Sequence, residues 1–377
     1  MYKKIISFGV LFLVLLNIPS IVLKTQTIEI SSPISYLAFF LLGMLIVTNK
    51  TKFPKQILFL AGIASLYYFI GAFQNEESFK NLLINYFKFL LYLFGLSISL
   101  QYINQKTIIL LLLAGAITIL LDSLYFRFND FQGIGYVSEY GRYSGFYLNP
   151  NTAGVICLLG FVLTIVKKDV WKILSVFFSF LGFLTLSKTF MISWFLITII
   201  YLFYNRKHIA KLFFIFVSAF LALFILSEKV NLNTDRFSFL TSLLSGSLDT
   251  EILNKNNRID QWAKFYELII DSPIFGNGYR SFLISLADIN GQGVHNIFLL
   301  IFGESGFLPF LLFLALIIRL FYRTFTNIGH NIVIFFLTLL LFTTFLVSHN
   351  FFSSGIQIFI FTLIIYKKNE ESYIKTI

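Results

Sequence analysis

Residues 107–125 read TIILLLLAGAITILLDSLY, nineteen positions of which 14 are apolar. At about 1.5 Å of rise per residue, a helix over this stretch covers nearly the whole hydrocarbon layer of a bilayer, about 30 Å thick. Lipid offers the backbone no hydrogen-bond partner, so such a run must satisfy its own N–H and C=O groups and therefore forms a helix. Working outward, similar runs occupy 5–23, 34–48, 56–73, 82–101, 152–166, 171–186, 190–205, 210–227, 305–322, 331–347 and 352–366. The apolar stretch 296–303 is too short to cross and reads as a re-entrant or interfacial turn leading into the next span. The expected fold class is all-α: a polytopic integral membrane protein with about 12 transmembrane helices.

Composition agrees. Apolar residues make up 57% of the 377 positions and charged residues 12%, with a mean hydropathy of +0.82. Soluble domains sit near 45–50% apolar and about 25% charged, so most of this surface faces lipid. The chain begins with Lys3 and Lys4 ahead of an apolar run, but no small-x-small cleavage site follows, so the segment reads as an uncleaved first helix. Cys157 is the sole cysteine and lies inside an apolar run, which excludes an intrachain disulfide and a thiolate metal cluster. Neither a paired-carboxylate metal motif nor a His/Cys cluster stands out, and no cofactor is expected.

Charge orients the spans. With the amino terminus inside, 17 of the 29 Lys and Arg fall on inner segments, while Asp169, Glu370 and Glu371 are the inner members of the 18 acidic residues. The basic excess is thus a positive-inside signal with both termini cytoplasmic. It is not a soluble basic patch of the kind that binds nucleic acid. Lys88 lies within a span and is expected to snorkel toward the inner interface.

Two external segments interrupt the apolar pattern. The first is 126–151, FRFNDFQGIGYVSEYGRYSGFYLNPN, whose Asn149 and Asn151 around Pro150 suit a helix entry. The second is the long loop 228–295. Within it, 258–271 (RIDQWAKFYELIID) places Ile259, Trp262, Tyr266 and Ile269 on one helical face, with Asn256 or Asn257 to cap its start and Pro273 after its end. A short amphipathic helix at the membrane surface is expected there. The PIFGNGY stretch that follows, with Gly276 and Gly278, predicts a tight turn that exposes backbone N–H groups. These boundaries divide the chain into amino-terminal membrane helices (1–125), a central region with the external loop (126–322), and carboxyl-terminal helices with a tail (323–377).

The order GRYSGFYLNPN (141–151), LSKT (186–189), NNRIDQW (256–262), PIFGNGY (273–279) and VHNIFLLIFGESG (294–306) resembles the O-antigen ligase and polymerase superfamily. That group includes the Wzy polysaccharide polymerases and the WaaL ligases. The resemblance covers about 140–310 and implies a metal-independent membrane glycosyltransferase of GT-C-like architecture in the bacterial cytoplasmic membrane, with its active site on the external face. The implied donor is a glycan on undecaprenyl pyrophosphate, and a flippase and a chain-length regulator are implied partners. At Lys188 family members often carry Arg; a lysine offers a point charge in place of a planar fork.

The reaction sets an electrostatic problem. Displacing a lipid pyrophosphate from an anomeric carbon requires stabilising the departing charge and removing a proton from the acceptor hydroxyl. Arg142 and Arg258 suit the first task, since a guanidinium stays charged and presents a fork of donors to phosphate oxygens. A structural role for them, as solvated loop arginines or in ion pairs with Glu139 or Asp260, is the alternative. His295 suits the second task, with His349 as its rival on the same side and His208 and His330 on the cytoplasmic side. Lys188, Asn257, Gly276, Gly278, Asn296, Glu304 and His349 are the expected substrate-binding residues. Glu304, a carboxylate beside an apolar run, needs a partner and is expected to orient His295 or hold an arginine. Polymerase is the preferred reading, with a ligase as one alternative and a lipid-linked glycan flippase or other secondary transporter as another. The halves show no internal relation and the unusual polar residues gather externally, which favours an enzyme over a transporter.

Overall fold

The computed structural model describes residues 2–25, 28–73, 79–128, 142–167, 170–205, 258–284 and 293–374. Every regular element among them is helical. In chain order these are α1 (Tyr2–Leu15), α2 (Ile18–Thr25), α3 (Ile28–Thr48), α4 (Lys55–Ala72), α5 (Phe79–Ser99), α6 (Gln105–Phe128), α7 (Pro150–Ile165), α8 (Val170–Leu184) and α9 (Lys188–Tyr204). After them come α10 (Arg258–Asp271), α11 (Ser281–Ile284), α12 (Ile297–Ser305), α13 (Phe307–Thr326), α14 (Ile332–Phe345) and α15 (Gly355–Ile374). The expected span at 210–227, the loop from 228 to 257 and the capping residues Asn256 and Asn257 lie outside the described residues.

Among the described residues, five helices are long and apolar enough to cross a membrane: Ile30–Thr48, Lys55–Ala72, Phe79–Ser99, Gln105–Leu124 and Phe307–Thr326. Shorter apolar helices cover Pro150–Ile165, Val170–Leu184, Lys188–Tyr204, Ile332–Phe345 and Gly355–Lys367. The protein is an integral membrane protein. The stretch 296–303, expected as a re-entrant or interfacial turn, forms a short helix of its own, α12.

The run 5–23 is not one helix. Asn17 takes a left-handed conformation (φ 55) between α1 and α2, and its side-chain amide donates to the Phe146 carbonyl at 3.1 Å. Asparagine tolerates that backbone region better than other side chains, and Pro19 suits the first turn of a new helix. The start of α13 also differs from the expected 305, because Gly306 (φ 76) ends α12 and restarts the chain. Its α-carbon faces the Ile274 carbonyl, where a side chain has no room.

The helices form two compact units, each discontinuous in sequence. One comprises Met1–Ser7, Phe39–Tyr102 and Thr250–Ile377; the other comprises Phe8–Ala38 and Ile103–Asp249. In the first, α4 packs on α5, α12 and α13, and α15 packs on α5 and α14. Lys88 on α5 rests its ammonium over the Phe39 ring, 5.7 Å from the centroid. In the second, α7 is central, buried along nearly its whole length and packed by α6, α8 and α9. Lipid is as apolar as leucine, so close packing and polar bonds must hold these helices together. Gly160 leaves the space that the Phe178 ring fills, and Trp194 Nε1 on α9 donates to Ser179 Oγ on α8 at 2.8 Å.

Candidate functional site

Arg142 opens a turn that the second unit grips from several sides. The Tyr143 N–H donates to the Leu184 carbonyl at 3.4 Å. Asp122, on α6, accepts the N–H groups of Ser144 at 3.0 Å and Gly145 at 2.9 Å, and Thr118 Oγ1 accepts that of Phe146 at 3.2 Å. Gly145 has φ +53 and lies so close to the Thr118 and Ile119 backbone that an added Cβ would meet it at 2.7–2.8 Å. Asn149 then caps α7, accepting from the N–H of Asn151 at 2.8 Å and Thr152 at 3.4 Å, with Pro150 at the first helical position.

This framework orients the guanidinium. Arg142 is buried; its Nε donates to the Thr185 carbonyl at 3.4 Å and its Nη2 to Asn151 Oδ1 at 3.3 Å. The same Asn151 oxygen accepts from Ser187 Oγ at 3.0 Å, and Ser187 is the cap of α9, whose first residue is Lys188. Asn151 thus ties Arg142 to the start of α9 and brings Arg142 and Lys188 into one neighbourhood. The Thr185 carbonyl and the Asn151 carboxamide, both neutral oxygens, aim the guanidinium. Lys188 stands where the helix macrodipole disfavours a cation, so its placement does not serve the helix.

The remaining candidates belong to the first unit. Arg258 begins α10, again at the positive end of a helix. The expected apolar face of α10 holds at Ile269 and is corrected at Tyr266. Phe265 and Ile269 are buried and Phe265 stacks on Phe282 with centroids 5.0 Å apart, whereas Tyr266 is 48% exposed. The periodicity was satisfied by two registers one residue apart, and packing on α12 selects the one through Phe265.

The PIFGNGY turn is also corrected. Its N–H groups are not offered outward: Asn277 donates to the Gly303 carbonyl at 2.7 Å, Gly278 to that of Glu304 at 3.1 Å, and Tyr279 to that of Gly71 at 3.0 Å. Gly276, at φ +72, is pressed against the end of α12; a Cβ there would lie 2.5 Å from the Glu304 carbonyl carbon. The turn clamps the open carbonyls of α12, which otherwise end without partners.

Glu304 is 1% exposed. The Tyr67 hydroxyl on α4 donates to its carboxylate. Burial pushes Glu304 up to about 7, while the Tyr67 bond, the Arg280 and Phe282 N–H groups and the Arg280 charge draw it back. The hydrogen bond therefore goes to Tyr67, where His295 was the expected partner, and the arginine that Glu304 feels is Arg280. Around them Tyr68 packs on Tyr279 with centroids 5.4 Å apart, and Asn85 donates to the Tyr279 hydroxyl at 2.9 Å.

His295 sits just before α12 with φ 44. Its neighbour Asn296 is buried and caps α12, accepting from Phe298 N at 2.9 Å and Leu299 N at 3.3 Å. The carboxamide oxygen of Asn296 is thereby committed to the helix. His295 and His349 come together, with ring centroids 4.8 Å apart and planes at 59°. The expected rivals for one role are neighbours.

Residues 173–314 match the family model described as O-antigen ligase. The match supports membership of the O-antigen ligase and polymerase superfamily. It runs from α8 to α13 and takes in Lys188, Arg258, the Gly276–Gly278 turn, His295 and Glu304. No curated protein matches the chain.

Sequence reading missed Asp122, Tyr67, Tyr68 and Arg280. Asp122 did carry a signal, since a carboxylate in an apolar run is costly unless partnered. Tyr67 and Tyr68 carried none, lying among 19 tyrosines in a helix that reads as plain apolar surface.

Proposed function

We propose that this protein is a membrane glycosyltransferase that takes a glycan from undecaprenyl pyrophosphate on the external face of the bacterial cytoplasmic membrane, with both termini cytoplasmic. Its preferred role is that of a Wzy-type polymerase, which passes the growing chain to the non-reducing end of another lipid-linked repeat unit. The observation that carries this reading is the link from the Arg142 guanidinium through Asn151 to Ser187, the cap of the helix whose first residue is Lys188. A helix amino terminus with added positive charge favours phosphate oxygens.

In this scheme Arg142, Lys188 and Arg258 stabilise the departing pyrophosphate. The acceptor oxygen bonds to the anomeric carbon, the bond from that carbon to the phosphate oxygen breaks with its electron pair, and His295 takes the hydroxyl proton. A pyrophosphate leaves as a stabilised anion, so little general-acid help is needed. GT-C-like architecture, and cooperation with a flippase and a chain-length regulator, follow from the family resemblance as part of the same proposal.

A strain deleted for this protein separates the readings by its glycan. Surface glycan of single repeats indicates a polymerase, free lipid-linked polymer a WaaL-type ligase, and lipid-linked repeats held on the cytoplasmic side a flippase. An unchanged surface glycan contradicts all three.

A further inference from the structure

The scheme above leaves His349 idle, yet its surroundings are demanding. It stands between α14 and α15, beside His295, and is followed by Phe351 and Phe352, which are 1% and 5% exposed. Its Nδ1 is buried and makes no hydrogen bond. An unused polar atom in apolar surroundings costs free energy, so a site that keeps one has a use for it.

The imidazole is also kept neutral. Burial, and then the charge of His295, pull His349 down to about 4. A neutral imidazole carries one N–H and one lone pair, so two adjacent rings can form a directed hydrogen bond.

We infer that His349 is a positioning residue for His295: its free ring nitrogen accepts the His295 N–H, selects which nitrogen of His295 faces the acceptor hydroxyl, and steadies the imidazolium that forms. The inference rests on His295 being the base. In the transfer step the hydroxyl proton moves to the nitrogen of His295 that faces it, while the opposite N–H stays hydrogen-bonded to His349. No proton reaches His349. The role parallels that of the buried carboxylate in a serine-hydrolase triad, with a neutral group in its place.

The test uses full-length protein in native membranes and, as substrate, lipid-linked glycan extracted from a strain deleted for this protein. His349→Phe is expected to lower kcat about tenfold or more with an unchanged KM for the glycan. His349→Gln, whose side-chain carbonyl can accept an N–H, is expected to regain part of that loss, and the His295→Ala/His349→Phe pair to be no slower than His295→Ala alone. Full kcat in His349→Phe, a raised KM with kcat intact, or a further loss in the double variant overturns the inference. If the Phe variant fails to accumulate, His349→Gln against His349→Ala decides by the same split. Wild-type turnover in His295→Ala removes the base itself, whereas loss there with full turnover in His349→Phe removes only the positioning role.

Discussion

The Arg142 turn and the His295 end are built on different principles. Around Arg142 the backbone N–H groups of Ser144, Gly145 and Phe146 are held by side chains of α6, and the guanidinium is aimed by a carbonyl and a carboxamide. Around His295 the backbone is left-handed and the neighbouring imidazole of His349 keeps a free nitrogen. Stabilising a charge rewards a rigid frame of donors, because reorganisation at the moment of reaction is then avoided. Moving a proton requires a group whose protonation can change, which suits an apolar setting with few competing bonds.

That contrast yields ordered expectations. The largest concerns Arg258. If a planar fork is needed, Arg258→Lys should lose about a hundredfold in turnover, nearly as much as Arg258→Ala, measured as polymer formed per protein in membranes. Near-normal turnover with Lys would make the residue a simple point charge. Next, Asn151→Ala removes the acceptor shared by Arg142 and Ser187 and should raise KM for the lipid-linked glycan about tenfold with a smaller change in kcat, since a hydrogen bond to a charged group is worth about 1.5–3 kcal/mol. A change confined to kcat would mean that Arg142 acts only in the transition state.

Two smaller effects concern stability. Glu304 has its folded-state value raised from 4.5 to about 7, so the folded protein binds this proton more tightly than the unfolded chain. Its contribution is fully present below pH about 4.5 and is lost as pH rises through about 7. Glu304→Gln, which keeps the shape and stays neutral, should flatten the fall in thermal midpoint between pH 5 and 8; an unchanged slope assigns that fall to other groups. Smallest of all, Asn149→Ala should cost about 1 kcal/mol of stability through the lost cap of α7, with turnover per folded molecule unaltered.

The contrast also bears on what could be read from sequence. The five long spans were legible because hydrophobic length is a local property, and the bounds of α10 matched 258–271 because helix signals flank it. The break at Asn17 was invisible to hydropathy, since a single left-handed residue changes no average. The glycine turn was legible as a turn, but its partners were not: Gly71, Gly303 and Glu304 supply the carbonyls from distant parts of the chain. For the same reason His349 could be named only as a rival to His295, because nothing local says that the ends of two different helices meet. Arg142 was picked out by its chemistry, whereas the parts that Asp122 and Asn151 play in placing it emerge only from tertiary hydrogen bonds.

One experiment bears most directly on His295 as the group that takes the acceptor proton. Membranes holding equal amounts of wild-type and His295→Ala protein are supplied with extracted lipid-linked repeat units, and both lengthened glycan and released undecaprenyl pyrophosphate are followed. The wild type should yield both in step, and the variant should be slower by about 10²–10⁴-fold in each. Lengthened glycan and released carrier appearing at the wild-type rate in the variant would contradict the account.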